Sequence, residues 1–363
     1  MFSRTIRVRG GRRAVARALL LVAAHAAVVP LVAPAEACDL CAIYTTTEGR
    51  EDQTGLRLGL ATQFTYFHTL QNDGEEVANP HGEKIASSIT QFLFGYHVFP
   101  RFGVQINVPV ISRDYRRVVS NGVQDGNVTG FGDLSVLAIG KLFTWSELDR
   151  IVHVDAFAAV KLPSGSPTFL KEETEEEAAP PCIPFPDPSA CSQRVHLPPE
   201  LHGHHTSGPP SGVGGHDLTL GSGSVDGVIG AQVFANWQRL FATAFIQYVA
   251  RNEGAYQYRF ANDLLFAGGP GAYLLTGDAL FGEPYTLRGQ ALFSGETKGN
   301  DDVGDTHLTD TGVTALYLGP AFAFGWGTHL GAEIAADLPL LINNTDLQIV
   351  PDYRLRAGVS WHF

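Results

Sequence analysis

The chain has 363 residues, with 25 Lys and Arg against 37 Asp and Glu and a formal net charge of −12. That acidic balance excludes a nucleic-acid partner, whose phosphates require a basic face. Beyond the opening segment no uninterrupted apolar stretch of about 20 residues occurs, which excludes a helical membrane span and leaves a closed barrel as the way to cross a bilayer.

The first element is a targeting segment. Arg4, Arg7, Arg9, Arg12, Arg13 and Arg17 precede an apolar run from Ala18 to Val32, and Ala35-Glu36-Ala37 has the small-x-small pattern of a cleavage site. Residues 1–37 read as a secretory signal peptide; a lipoprotein anchored through Cys38 is the weaker alternative, because Ala35 and Glu36 replace the residues that lead into a lipidated cysteine. Loss of six arginines and Glu36 takes the net charge from −12 to −17. Residues 38–54 then form a periplasmic N-terminal segment carrying Cys38-Asp39-Leu40-Cys41. Ala42 follows, so covalent haem attachment through C-x-x-C-H is excluded. In an oxidising compartment the pair reads as a short disulfide, with a metal or a partner thiol as the other reading.

From residue 55 the pattern is β. Strands are expected near Gly55–Gln71, Lys84–Val98, Phe102–Arg117, Gly130–Phe143, Asp149–Leu162, His216–Ala235, Arg239–Ala250, Tyr256–Leu275, Tyr285–Ser294, Gly312–Phe324, His329–Ile342 and Pro351–Phe363. Twelve is an even count, as bacterial barrels require, and short connections alternate with long polar ones except around the seventh and eighth strands. There the connection Arg251–Ala255 is short and the turn Thr276–Pro284 is long.

Period two is clearest in Val104, Ile106, Val108 and Val110, in Val152 to Leu162, and in Leu330 to Leu338. Opposite these apolar rows stand charges and amides. The fold class is an all-β, antiparallel, up-and-down transmembrane barrel of about twelve strands, apolar row to lipid and polar row to the lumen. The lumen residues are then Arg57, Asp133, Lys141, His153, Asp155, Lys161, Arg288, Glu333, Asp337, Arg354 and Arg356. Glu333 and Asp337, on the strand before the last, are the expected partners of Arg354 and Arg356. Phe363 closes the chain on an aromatic, the kind of signal the barrel-assembly machinery reads. The barrel belongs in the outer membrane of a Gram-negative-type bacterium, in contact with its lipid, with both termini periplasmic.

The longest connection, 163–215, is expected to be an extracellular loop. It holds the acidic run Glu172–Glu177, a Pro-rich patch, Cys182 and Cys191, and the imidazoles of His196, His202, His204, His205 and His216. The two cysteines read as a local disulfide. The histidines are a candidate site for Zn²⁺, Cu²⁺ or Ni²⁺ if three or four converge, beside the plain reading of a hydrated polar loop. No cofactor is required.

Three stretches carry a family resemblance. Gly130-Phe131-Gly132-Asp133-Leu134 with Lys141, Lys161-Leu162-Pro163-Ser164-Gly165, and Leu220-Gly221-Ser222-Gly223-Ser224 with Asp226 resemble, in order and spacing, motifs of the outer-membrane barrels named for the meta-pathway of phenol degradation. The resemblance implies a transporter barrel and carries no catalytic residue. The Cys38–Cys41 pair and the His-rich loop depart from that family.

A barrel phospholipase would place Ser and His together on the lipid face. Here Ser360 and His362 share the inward row, so the reading is non-enzymatic. The function expected is a channel or transporter for a small solute through a narrow polar lumen. The alternative is a barrel-anchored surface protein that binds metal or docks a partner through its long loop.

Overall fold

A computed structural model describes residues 54–120, 122–177 and 211–363. The signal peptide, all four cysteines and His196, His202, His204 and His205 lie outside the described residues.

The wall is built from β1 (Gly55–Asn72), β2 (Lys84–Phe99), β3 (Phe102–Val119), β4 (Gly122–Phe131), β5 (Leu134–Glu147), β6 (Arg150–Leu162), β7 (Asp226–Trp237), β8 (Leu240–Ala250), β9 (Asp263–Leu280), β10 (Glu283–Lys298), β11 (Val313–Trp326), β12 (Leu330–Asn344) and β13 (Leu347–His362). β4 and β5 share one wall position, pairing in turn with the two ends of β3. The result is a closed antiparallel barrel of twelve strands. It closes where β13 pairs with β1, from Arg57 opposite His362 to Asn72 opposite Leu347. Closure pairs every edge, the condition for a sheet to survive in lipid.

Strand existence follows the sequence pattern, and the differences lie at strand ends. The fourth strand starts at Gly122 rather than Gly130 and is broken at Gly132–Asp133, where the Asp133 side chain is taken up inside the barrel. The barrel strand expected from His216 starts at Asp226; His216 instead lies in a short helix. The strand expected from Tyr256 starts at Asp263 because Tyr256 has φ 59°, which ends extended backbone. Tyr258–Arg259, Asp302–Val303 and Thr306–His307 make a separate three-stranded sheet. The long turn expected at Thr276–Pro284 shrinks to Phe281-Gly282, both at positive φ (53° and 89°), as a tight hairpin needs.

Outward side chains are apolar. Phe92, Phe94, Tyr96, Val104, Ile106, Ile229, Ile246, Ile334, Leu338 and Leu355 are exposed, while their alternating neighbours are turned inward. Phe99, Phe102, Phe143, Trp237, Phe281, Trp361 and Phe363 are exposed at the short-turn end, forming the aromatic girdle of a membrane barrel. A polar surface would have been expected were this barrel water-soluble.

The core sits inside the barrel at the long-connection end. Both described arms of the connection between β6 and β7 fold inward, through α1 (Leu170–Glu177) and α2 (Gly215–Leu218). Val213 and Leu218 pack on Ile85, Tyr115 and Ile349, and Leu220 on Ile89 and Ile111. Leu170 joins Tyr258, Phe260 and Val303 from the next two long connections. The reading of a hydrated loop does not hold for Leu170, Val213, Leu218 and Leu220 of these arms, which are buried against the inner wall and the neighbouring connections.

Candidate functional site

Two features occupy the interior: an ionic clamp under the inward-folded arms of the β6–β7 connection (the strap, described over 163–177 and 211–225), and a lumen below it.

The clamp begins with the interruption of the strand at Asp133. Its carboxylate accepts hydrogen bonds from the Gly165 amide (2.9 Å), from the Ser222 amide and hydroxyl (both 2.9 Å) and from Lys161 Nζ (3.0 Å). Lys161 also lies 2.8 Å from Asp226, which faces it in register across the β6–β7 pair. Arg251, just beyond β8, then bridges Asp226 (3.0 Å) and Asp263 (2.8 Å). The result is an alternating chain, Asp133–Lys161–Asp226–Arg251–Asp263, that runs over consecutive strands with every member buried. Each acid is covered by a cation or by N–H and O–H donors, which buried charge requires. The glycines follow from the same geometry: a Cβ on Gly221 would stand 2.6 Å from Asp133 Oδ1 and 2.7 Å from the Gly165 backbone. The three motifs of the family resemblance, separate in sequence, are thus one contact.

The lumen holds a cavity of about 320 Å³. Lys141, His153, Asp155, Arg288, Glu333, Asp337, Arg354 and Arg356 line it, with Gln63, Gln232, Gln290 and Glu296. Arg57 is on the inward row of β1 below Ala61 and Gln63, while Asp133 and Lys161 are in the clamp above. One side is aromatic: the rings of His153 and Phe234 stack at 6.4 Å and those of Phe234 and Phe241 at 5.8 Å, with the Arg288 guanidinium 6.0 and 5.8 Å from the two Phe centroids.

Charges in the lumen pair across strands. Arg356 Nη2 donates to Asp337 at 2.8 Å. Arg354, though Asp337 is its backbone partner, sends its side chain to Glu296 on β10 at 2.7 Å and lies over the Tyr317 ring at 4.7 Å. Tyr317 donates its hydroxyl to the same Glu296 oxygen at 3.0 Å. Arg354 therefore takes a partner beyond the pair Glu333 and Asp337 expected from sequence. Period two predicts it once β10 is allowed to reach Lys298: Arg288, Gln290, Leu292, Ser294 and Glu296 share a row.

His216 is placed by α2 in the strap. Its ring stacks on Tyr258 at 6.3 Å, its Nδ1 is 3.1 Å from Glu173 and its Nε2 3.4 Å from Asp217. Among the described residues no group of three or more His, Cys, Asp or Glu has metal-site geometry.

A closed antiparallel barrel with paired edges and an apolar exterior defines a transmembrane barrel. No family model matches the chain, and no curated protein matches it in sequence. In fold it is similar to the crystal structure of an outer-membrane channel from Pseudomonas putida F1, at 12% identity and a TM-score of 0.53 over 88% of this chain and all of that one. A monoaromatic hydrocarbon channel, CymD, matches at 6% identity and a TM-score of 0.34, over 86% of this chain and 89% of that one. A Pseudomonas aeruginosa FadL homologue matches at 10% identity and 0.34, over 85% and 90%.

Proposed function

We propose that this chain is an outer-membrane channel that passes a small solute through the lower lumen, with both termini on the periplasmic side. The carrying observation is the cavity of about 320 Å³ inside a closed barrel, where charged and amide side chains stand beside apolar ones such as Phe234, Phe245, Leu265 and Leu292. An interior built only to hold a small barrel round would be filled by side chains, as the strap end is. The fold shared with the Pseudomonas putida channel supports the reading. Membership of the meta-pathway barrel family is part of the proposal, supported by the convergence of its three motifs on Asp133, Lys161 and Asp226. The role is transport without catalysis.

The test is conductance of the purified, heat-modifiable protein in planar bilayers, together with swelling of proteoliposomes in small solutes. Absence of both in correctly folded protein would end the channel reading. Phe363, exposed 6.3 Å from the Trp361 ring, is proposed as the terminal signal for barrel assembly. A Phe363→Ser variant that reaches wild-type surface levels would remove that role.

A further inference from the structure

The wall of the lumen cavity is uneven. From β10 round to β1 one inward rung reads Gln290, Ala321, Ala335, Arg356 and Gln63 in register, so two methyl side chains stand between amide and guanidinium groups. The rung beside it places Ala323, Gly358 and Ala61 around Glu333, and these small residues open a recess between hydrogen-bonding groups. In the ring of twelve strands β7 lies opposite β13 and β8 opposite β1, so Phe234 and Phe241 form an apolar wall across from that recess.

Three buried polar atoms on the cavity wall have no hydrogen-bond partner among the described residues: Ser294 Oγ, Asp337 Oδ2 and Asp155 Oδ1. Ser294 is 7% exposed, and Asp337 is fully buried. The second oxygen of each acid is taken, in Asp155 by the Gln232 amide at 3.1 Å and in Asp337 by Arg356 at 2.8 Å. Asp155 on β6 and Asp337 on β12 stand on opposite sides of the ring. Both carboxylate oxygens can only accept, while the serine hydroxyl accepts or donates. Buried polar atoms are costly to leave unpaired, so each of the three calls for a partner. Charge on the wall is balanced, with Lys141 and three arginines (288, 354 and 356) against Asp155, Glu296, Glu333 and Asp337.

From these observations we propose that the cavity is a binding site for a neutral, polyhydroxylated solute of monosaccharide size. Binding turns the three buried atoms toward the solute, whose hydroxyls donate to Asp155 and Asp337 on opposite walls and meet Ser294. Its C–H face lies on Phe234 and Phe241. A solute with one hydroxyl reaches one open atom and leaves the far wall unpaired. A charged solute upsets a wall whose charges already cancel, as in the pairs Arg354 with Glu296 and Arg356 with Asp337. The volume of about 320 Å³ falls in the range of small-molecule sites, roughly 300–1,000 Å³. The proposal rests on the channel reading and names its solute class, and its experiment keeps the two apart.

A neutral molecule held in the lumen obstructs ions, so the measurement is single-channel current in planar bilayers as D-glucose is added. The current is expected to fall saturably, with half-block at millimolar glucose. Glucosamine and glucuronate keep the ring and add one charge, and cyclohexanol keeps a ring with one hydroxyl; all three are expected to block more weakly. Ser294→Ala and Asp155→Asn each remove one open hydrogen-bonding atom, and heat-modifiability on a gel establishes their folding. Each is expected to raise the half-blocking glucose concentration about three- to tenfold, the worth of one hydrogen bond. Ion current that glucose does not block, block as strong by cyclohexanol or a charged analogue, or both variants blocking like wild type would overturn the solute class and leave the channel standing. No current from any folded form would overturn both.

Discussion

Lys161 and Asp226 face one another in register on β6 and β7, with Nζ 2.8 Å from the carboxylate, although 64 residues of chain separate them. The pair joins the two strands at the point where the long connection leaves and returns. Lys161→Met removes the cation shared by Asp133 and Asp226, leaving two buried carboxylates with less compensation. Breaking a buried pair from one side costs about 3–5 kcal/mol. Denaturant unfolding from detergent is expected to show a loss of that order, and a double variant Lys161→Met, Asp226→Leu should recover part of it. A loss below about 1 kcal/mol, the range of exposed pairs, would mean that water reaches the clamp.

Gly221 and Gly227 make a matched comparison. A Cβ on Gly221 meets Asp133 and the Gly165 backbone, whereas one on Gly227 meets nothing within 4 Å. Gly221→Ala is expected to destabilise by about 1–3 kcal/mol, the usual cost of overpacking, and Gly227→Ala to be near neutral. Equal behaviour of the two variants in thermal melts would show that Gly221 is not packed against Asp133 and Gly165 as described.

Period two made the wall legible in the sequence. Val104, Ile106 and Val108 alternate with Gln105 and Asn107, and no soluble or helical reading places them better. What the sequence did not show is where a strand ends inside the barrel. Ending the ninth expected strand at Ser294 left Glu296 and Lys298 off the inward row, so the partner of Arg354 was missed. The segment around Gly221 reads as strand because its glycines carry no pattern, yet they are there to let two backbones meet. Arg251 looks like a loop residue until the strap folds over it. The clamp depends on contacts between residues tens of positions apart, and only the order of the three motifs hinted at it.

The lumen arginines make selectivity measurable. Arg354 is paired with Glu296 and Arg356 with Asp337 at 2.7 and 2.8 Å, so their cationic field is largely cancelled. Glu296→Gln with Asp337→Asn removes both partners. The reversal potential in a salt gradient is expected to move towards anions in that variant and to show little preference in the wild type. An unchanged potential would place the permeating ions elsewhere.

The lipid face gives the last expectation. Ile334 on β12 is 59% exposed and is followed on the same strand by Leu338, also exposed, while the intervening Asp337 is fully buried. Ile334 and Leu338 alternate along β12 with Glu333 and Asp337, which puts the apolar pair on the outward row. An arginine on the lipid face near the bilayer midplane costs about 2–4 kcal/mol, against 0–1 near the interfaces. Ile334→Arg is therefore expected to lose about that amount in unfolding from lipid vesicles, whereas the same charge at Phe281, in the turn at the short end, should cost little. Because strand alternation turns position 334 to the face opposite Glu333, conductance of the folded Ile334→Arg protein should stay at the wild-type level. A variant that unfolds no more readily than wild type in vesicles would mean that this face meets water or protein instead of lipid.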